Sequence, residues 1–340
     1  MFRFTVDPKI IYAERVKGRH VIYLDTNAWS DLSERRSDAA IRAYAAAVRA
    51  HTDGLTIFPL SYATITELLK RDVNADSLQQ SDLMDLLSRG VTLRGDPHVR
   101  DLEVLCAFEY MTRGISMPPT AEMFTVIACY IADREIPAVG VSDRLGVMRV
   151  AYPTVRWLQQ RMRTPELLEH ETRTDEEYVR KISQKINDVP NWATDGSGKP
   201  NAKKLRFEEH TAAFNSYIMG NLARLVGLQG MQLLHERLPS IVRKPGGPAA
   251  VAPVIAAMPS ISLSCEMSVQ KMLSRTRTRK QDFYDHEHAA RAIPYVDAFV
   301  TADTGLLDIL RRAKVPSTHR CRILNGIAAL ADYLEVLTNP

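Results

Sequence analysis

Two short apolar runs, each followed by an aspartate, constrain this chain more than any other feature, because they stand at opposite ends of its 340 residues. Near the N-terminus, His20-Val-Ile-Tyr-Leu24 is rich in strand-forming residues and gives way to Asp25-Thr26-Asn27. Near the C-terminus, Ala298-Phe-Val-Thr301 runs into Ala302-Asp303. A short apolar run bounded by polar residues reads as a buried strand followed by a loop. Each aspartate should therefore project from the C-terminal end of its strand, the end at which parallel α/β sheets bind ligands.

The neighbouring segments support a parallel sheet. Helical spacing runs from about 30 to 51 and is stopped by Asp53-Gly54. Residues 55–58 read as a second strand. Pro59 and Ser61 then open a helix with Ile65, Leu68 and Leu69 on one side. Strand, helix, strand, helix is the order of an α/β layer.

From about 96 to 260 the pattern becomes mainly helical, with helices expected over 99–111, 121–135, 155–163, 166–187 and 207–235. Loops are expected over 187–204 and 239–259, where Gly, Pro, Asn and Asp cluster. The α/β pattern then returns: a helix over 285–293, the strand 298–301, a helix over 304–313, a strand over 321–324 and a closing helix over 327–337. The expected architecture is one discontinuous α/β domain, residues 1–95 with 261–340, interrupted by a long helical insertion at 96–260. Such an insertion is tolerable when its ends emerge close together.

Composition excludes several classes. The longest apolar stretch, 248–263, is broken by Pro253 and Pro259 and makes a poor membrane span. The first residues lack the basic and apolar regions of a leader. The four cysteines, Cys106, Cys129, Cys265 and Cys321, form no C-x-x-C pair, so a cytoplasmic setting without structural zinc is expected. No G-x-G-x-x-G, P-loop or G-x-S-x-G motif is present. Asn27 also stands where a haloacid-dehalogenase-type phosphatase needs a second aspartate. A net charge of +4 tolerates nucleic acid as a partner. Lys271, Arg275, Arg277, Arg279 and Lys280 concentrate that charge with no acid between them, just ahead of the C-terminal acids, where they could guide phosphates.

Four acids could meet at one edge of the sheet: Asp25 and Asp303 after their strands, Glu67 within the helix of 64–70, and Asp285 opening the helix before 298–301. Each also suits a structural role, Asp25 and Asp285 as helix caps and Glu67 on a helix surface. Together they carry chemistry. Clustered carboxylates repel one another unless a cation neutralises them, and oxygen-only ligands suit Mg²⁺ or Mn²⁺. Such ions activate water for in-line attack on a phosphodiester and stabilise the leaving oxygen.

The segment Val21-Ile-Tyr-Leu-Asp25-Thr-Asn27 resembles the opening motif of PIN-domain nucleases, and Glu67 matches the family's second acidic position. The 18-residue separation of Asp285 and Asp303, with Val300-Thr301 before the last acid, is similar to the family's third and fourth acids. The resemblance covers residues 19–90 and 281–337. It implies a PIN-like three-layer fold around a central parallel sheet, and metal-dependent cleavage of RNA more often than DNA. Asp25, Glu67, Asp285 and Asp303 would be the metal ligands. Asn27 and Thr301 become candidates to orient a carboxylate or touch substrate, and His286 and His288 to face solvent or substrate. Asp297, at the other end of its strand, is expected to be structural. The insertion is expected to serve substrate selection, regulation or homo-oligomer formation. A toxin or defence-system effector with an inhibitory or effector protein partner is one role open to such a nuclease. A PIN-like module that binds RNA or protein without cutting is the alternative.

Overall fold

A computed structural model describes residues 8–115, 120–126, 154–161, 165–187, 194–195, 197, 199–242, 251–274, 279, 282–315 and 319–338. After a short helix α1 (Pro8–Ile11), strand β1 (His20–Leu24) sits inside a four-stranded sheet in the order β2 (Thr56–Ile57), β1, β5 (Ala298–Thr301), β6 (Arg322–Asn325). Every pairing in it is parallel. The two ends of the chain are thus adjacent: Ile22, Tyr23 and Leu24 lie beside Ala298, Phe299 and Val300.

Both sheet faces are covered, which explains why the strand segments are apolar throughout rather than alternating. Ile22, Leu24, Ala298 and Val300 pack into one core with Trp29 and Leu32 of α2 (Thr26–Glu34), Ala43 and Ala47 of α3 (Asp38–Thr52), and Leu68 of α4 (Tyr62–Lys70). That core also takes Met84 of α5 (Ala75–Ser88). Val21, Tyr23, Ile57 and Phe299 point the other way, as the two-residue period of a strand requires.

The middle of the chain adds a further core. A short antiparallel pair, β3 (Val91–Leu93) with β4 (Phe124–Val126), lies on the second sheet face. α6 (Asp96–Arg113) begins there with Val99 and continues with Val104 and Ala107 into a cluster of its own. Between them in sequence come α7 (Val155–Arg161), α8 (Pro165–Asn187), α9 (Ala202–Ala213), α10 (Gly220–Val242) and α11 (Ala252–Ala256). α12 (Pro259–Ser274) belongs to both regions: Ile261 and Cys265 join the middle core, whereas Leu263 and Met267 join the sheet core. Buried Glu103 links the two helices. Its carboxylate accepts from the amides of Ser260 at 2.8 Å and Ile261 at 3.3 Å, at the start of α12, and from the Tyr295 hydroxyl.

α13 (Asp282–Ala292), α14 (Thr304–Arg312) and α15 (Gly326–Thr338) complete the C-terminal half. α15 packs on α3 and closes the first core with Leu330, Ala331 and Leu334. Among the described residues, no helix is long and apolar enough to cross a membrane.

Four sequence expectations change. Residues 239–242 and 252–256, expected to be loop, are helical, as the end of α10 and as α11. The helix expected over 30–51 is two helices, because Arg35 adopts a left-handed conformation (φ 53°) and Ser37 caps a new start by accepting from Ala40 N. Residues 124–126, expected to be helical, form β4, since pairing with β3 outweighs local preference. α13 begins at Asp282, so Asp285 lies in its first turn rather than opening it. Parts of the expected helix over 121–135 and of the loops over 187–204 and 239–259 lie outside the described residues, as does Cys129.

Candidate functional site

The sheet topology creates a crevice. The chain leaves β1 towards β2 on one side and leaves the adjacent β5 towards β6 on the other. Where neighbouring parallel strands diverge in this way, their C-terminal ends open a binding crevice. Asp25 follows β1 and Asp303 follows β5, so both stand at that point.

Each aspartate is also a helix cap. Asp25 Oδ1 accepts from Ala28 N at 2.7 Å and starts α2; Asp303 Oδ1 accepts from Leu306 N at 2.6 Å and starts α14. Capping and ligand binding are compatible, because a cap engages one oxygen and leaves the other. The fully buried Thr301 hydroxyl joins the pair, bonding to the Asp25 carboxylate and accepting from Asp303 N at 3.1 Å. Burial raises the Asp25 carboxyl above its ordinary range, and the bonds from Thr301 and Ala28 oppose that rise.

Glu67 enters from α4, beyond the first turn that Ser61 caps. Its Oε2 accepts from the Thr26 hydroxyl and lies 3.0 Å from His288 Nε2. His288 of α13 is only 1% exposed, with Nδ1 hydrogen-bonded to the Tyr23 hydroxyl. That hydroxyl also meets Ser61 Oγ at 2.5 Å and Thr64 Oγ1 at 3.0 Å. Burial penalises the Glu67 charge, but the hydrogen bond and charge of His288, then Thr26 and Arg71, outweigh it, so Glu67 is held below its usual range. Burial likewise works against a charged His288; its bond to Glu67 and the charges of Glu67, Asp25 and Asp285 prevail and raise it.

Asp285 has a different environment. Burial and the neighbouring charge of Asp303 push its carboxyl up to about 7, with Glu67 and Asp282 adding to the effect and His288 opposing it. Asp285 and Asp303 line a cavity of about 260 Å³ together with Lys271, Arg279, Asp282 and His286. Lys271 is not a free cation there. It is buried, and its Nζ lies 2.7 Å from Asp282 Oδ2, which also accepts from Arg279 N at 2.9 Å. The Arg279 residue itself is exposed. Arg275, Arg277 and Lys280 lie outside the described residues. Asn27 is exposed on the first turn of α2. Asp297 sits at the far end of β5, where its Oδ2 accepts from Val21 N at 2.8 Å.

Asp25, Glu67 and Asp285 thus act on His288, Asp303 acts on Asp285, and the cavity is lined by Asp285 and Asp303 rather than by Asp25 or Glu67. Asp25 and Glu67 feel each other's charge, and Asp285 feels both Asp303 and Glu67. Among the described residues, no group of three or more His, Cys, Asp or Glu side chains is arranged to hold a metal ion. An all-protein cage is not what Mg²⁺ requires, since it binds through one or two carboxylates and keeps several waters. Asp285 and Asp303 are two carboxylates on one cavity, and Asp285 is raised by burial and then by Asp303 with His288 only partly opposing, which is the donor chemistry such an ion would take.

Sequence reasoning placed His286 and His288 at the surface or on substrate; His288 needs correction, whereas His286 is half-buried and lines the cavity. His288 is buried, while His286 meets Ser264 Oγ at 2.8 Å through Nε2 and is driven down to about 4 by burial and then by Lys271 and Lys185. Thr26 and Tyr23 were missed altogether. Thr26 lies inside the Asp25-Thr26-Asn27 motif, but nothing local shows that its hydroxyl reaches Glu67. In comparisons with known proteins, no family model, no curated protein and no solved structure matches this chain.

Proposed function

We propose that this chain is a PIN-like, metal-dependent endoribonuclease whose site lies at the divergence of β1 and β5. The observation that carries the reading is Asp285, pushed up to about 7 by burial and Asp303, on the wall of a cavity that Asp303, at the end of β5, also lines. The resemblance of residues 19–90 and 281–337 to PIN nucleases adds the reaction class, and the union of those two segments in one parallel sheet agrees with it.

Asp285 and Asp303 would hold Mg²⁺ or Mn²⁺, and Asp25 and Glu67 would complete the acidic wall. When bound, the ion would lower the pKa of a water for attack and stabilise the leaving oxygen. The chain's own residues supply placement. Thr301 ties Asp25 to the Asp303 backbone, and Thr26 with His288 fixes one oxygen of Glu67. Arg279, exposed at the cavity, suits a phosphate flanking the scissile one.

The test is cleavage of RNA and of single-stranded DNA with Mg²⁺ or Mn²⁺, comparing wild type with Asp25→Asn and Asp303→Asn. The expected result is metal-dependent cleavage of RNA that both variants lose. Wild type that binds RNA and cuts nothing with either metal would replace this reading with a non-cutting RNA-binding module.

A further inference from the structure

The geometry points to His288 as a positioning residue that, together with Thr26, fixes which oxygen of Glu67 is presented to a bound cation; this rests on the nuclease reading of the same site. A carboxylate has two oxygens, and a metal ligand works best when its orientation is set before the ion arrives. Among the described residues, both side-chain hydrogen bonds to Glu67 fall on Oε2, one from the Thr26 hydroxyl and one shared with His288 Nε2 at 3.0 Å. The other oxygen, Oε1, is the one left for a cation.

The network around the ring has a consistent direction. Ser61 Oγ accepts from the Thr64 amide, so its hydroxyl proton is available to Tyr23. Thr64 Oγ1, 3.0 Å from Tyr23, can donate to it as well. When both hydroxyls donate to it, the Tyr23 hydroxyl donates to His288 Nδ1, and Nε2–H is left to donate to Glu67. A second proton on the ring turns the Tyr23 bond round, so that the Tyr23 hydroxyl donates to Ser61 or Thr64 instead, and leaves Nε2–H on Glu67. The Thr26 hydroxyl lies 3.5 Å from Nε2, so the two donors bracket the same carboxylate oxygen from adjacent positions. The ring itself is fixed by burial and by its tilted contact with Tyr23, at 5.6 Å between centroids. Tyr23 in turn is stacked on Phe299 of the neighbouring strand. The orientation of Glu67 is thereby referred back to β1 and β5, the strands that carry Asp25 and Asp303.

The experiment compares His288→Leu, which removes the donor at similar bulk, with His288→Gln, which retains an amide donor, and with Thr26→Val. Each is assayed for Mn²⁺ binding by calorimetry without substrate, for the Mn²⁺ dependence of cleavage, and for thermal melting. Loss of an outer partner of a metal ligand typically weakens metal binding about 10- to 100-fold. That is the expected change for His288→Leu, with a smaller one for Thr26→Val and recovery of most of the affinity in His288→Gln. Turnover at saturating Mn²⁺ should fall much less than the metal affinity. Two results overturn the assignment while leaving the nuclease reading intact: a folded His288→Leu that binds Mn²⁺ like wild type, or a folded His288→Gln as impaired as His288→Leu. Wild type that neither binds Mn²⁺ nor cleaves RNA removes the nuclease reading, and this inference falls with it.

Discussion

The two halves of the acidic wall differ in what answers their charge. Asp25 and Glu67 are served by protein donors: Ala28 N and Thr301 for the first, Thr26 and His288 for the second. Asp285 meets burial and a second acid, and its carboxyl rises to about 7. Asp303 keeps its cap donor, Leu306 N, so Asp285 is the acid of the four for which no donor is found among the described residues. The contrast is between a donor-served, rigid side and a side vacant of donors at Asp285. The rigid side suits orientation, and the vacant side suits a cation.

The largest test of that contrast is Asp303→Asn. Asparagine caps helices about as well as aspartate, so the bond to Leu306 N and the start of α14 should survive. Cleavage should nevertheless fall by more than about 100-fold, the scale of losing one preorganised charged contact in an active site. Melting temperature and turnover measured on the same preparation separate the two roles of this residue. Loss of both together would mean that Asp303 is only a cap.

A second test uses pH. Asp285 has its folded-state value raised to about 7 from an ordinary 3.8. Between those values the folded protein holds a proton that the unfolded chain has released. Stability of chelator-treated protein should therefore fall as pH rises from about 4 to 7 and level off above it, by no more than about 4 kcal/mol. Asp285→Asn should make this slope shallower, leaving the share of Asp85, pushed up to about 6, and of buried Asp25 and Glu103, and should raise the melting temperature at pH 8. Mn²⁺ should do the same for wild type, because the ion favours the ionised acid. An unchanged slope in Asp285→Asn would show that the vacant side is already compensated.

Asp282 offers the internal control, since it lies on the same cavity with a lysine beside it. Lys271→Met should leave Asp282 uncompensated and lower stability by about 3 kcal/mol, as breaking a buried pair does. The salt dependence of RNA binding should stay as in wild type. If Lys271 instead contacts phosphate, stability holds and the salt slope of binding shrinks by about one charge.

The sequence showed one side of this contrast better than the other. β1 and β5 were legible because buried parallel strands leave uninterrupted apolar runs, and the aspartates that follow them mark their ends. Their adjacency had to be inferred from the acids, and Asp285 was found by its spacing from Asp303. The donors were not legible. His288 stands among polar residues in the sequence, and it is buried only because Tyr23 and Glu67, more than 200 residues earlier, close around it. The Lys271–Asp282 pair was hidden for a similar reason: a lysine in a basic run reads as solvated until the opposing helix is in place. β4 was mistaken for helix because its strand character comes from β3.

The smallest effect is expected at Asp297, and it bounds the others. This residue lies on the same strand as Thr301 but at the opposite end, where Oδ2 accepts from Val21 N and its own amide donates to Val21 O at 2.8 Å. Asn at this position keeps an acceptor for Val21 N, so Asp297→Asn should change stability by less than about 1 kcal/mol. Cleavage and Mn²⁺ affinity should match wild type, since one full strand separates the substitution from the crevice. A loss of cleavage in a folded Asp297→Asn would mean that charge anywhere along β5 supports the reaction. The distinction between a donor-served side and a vacant side would then give way to a general acidic field. Wild-type behaviour confines the effect to the strand ends, where β1 and β5 part.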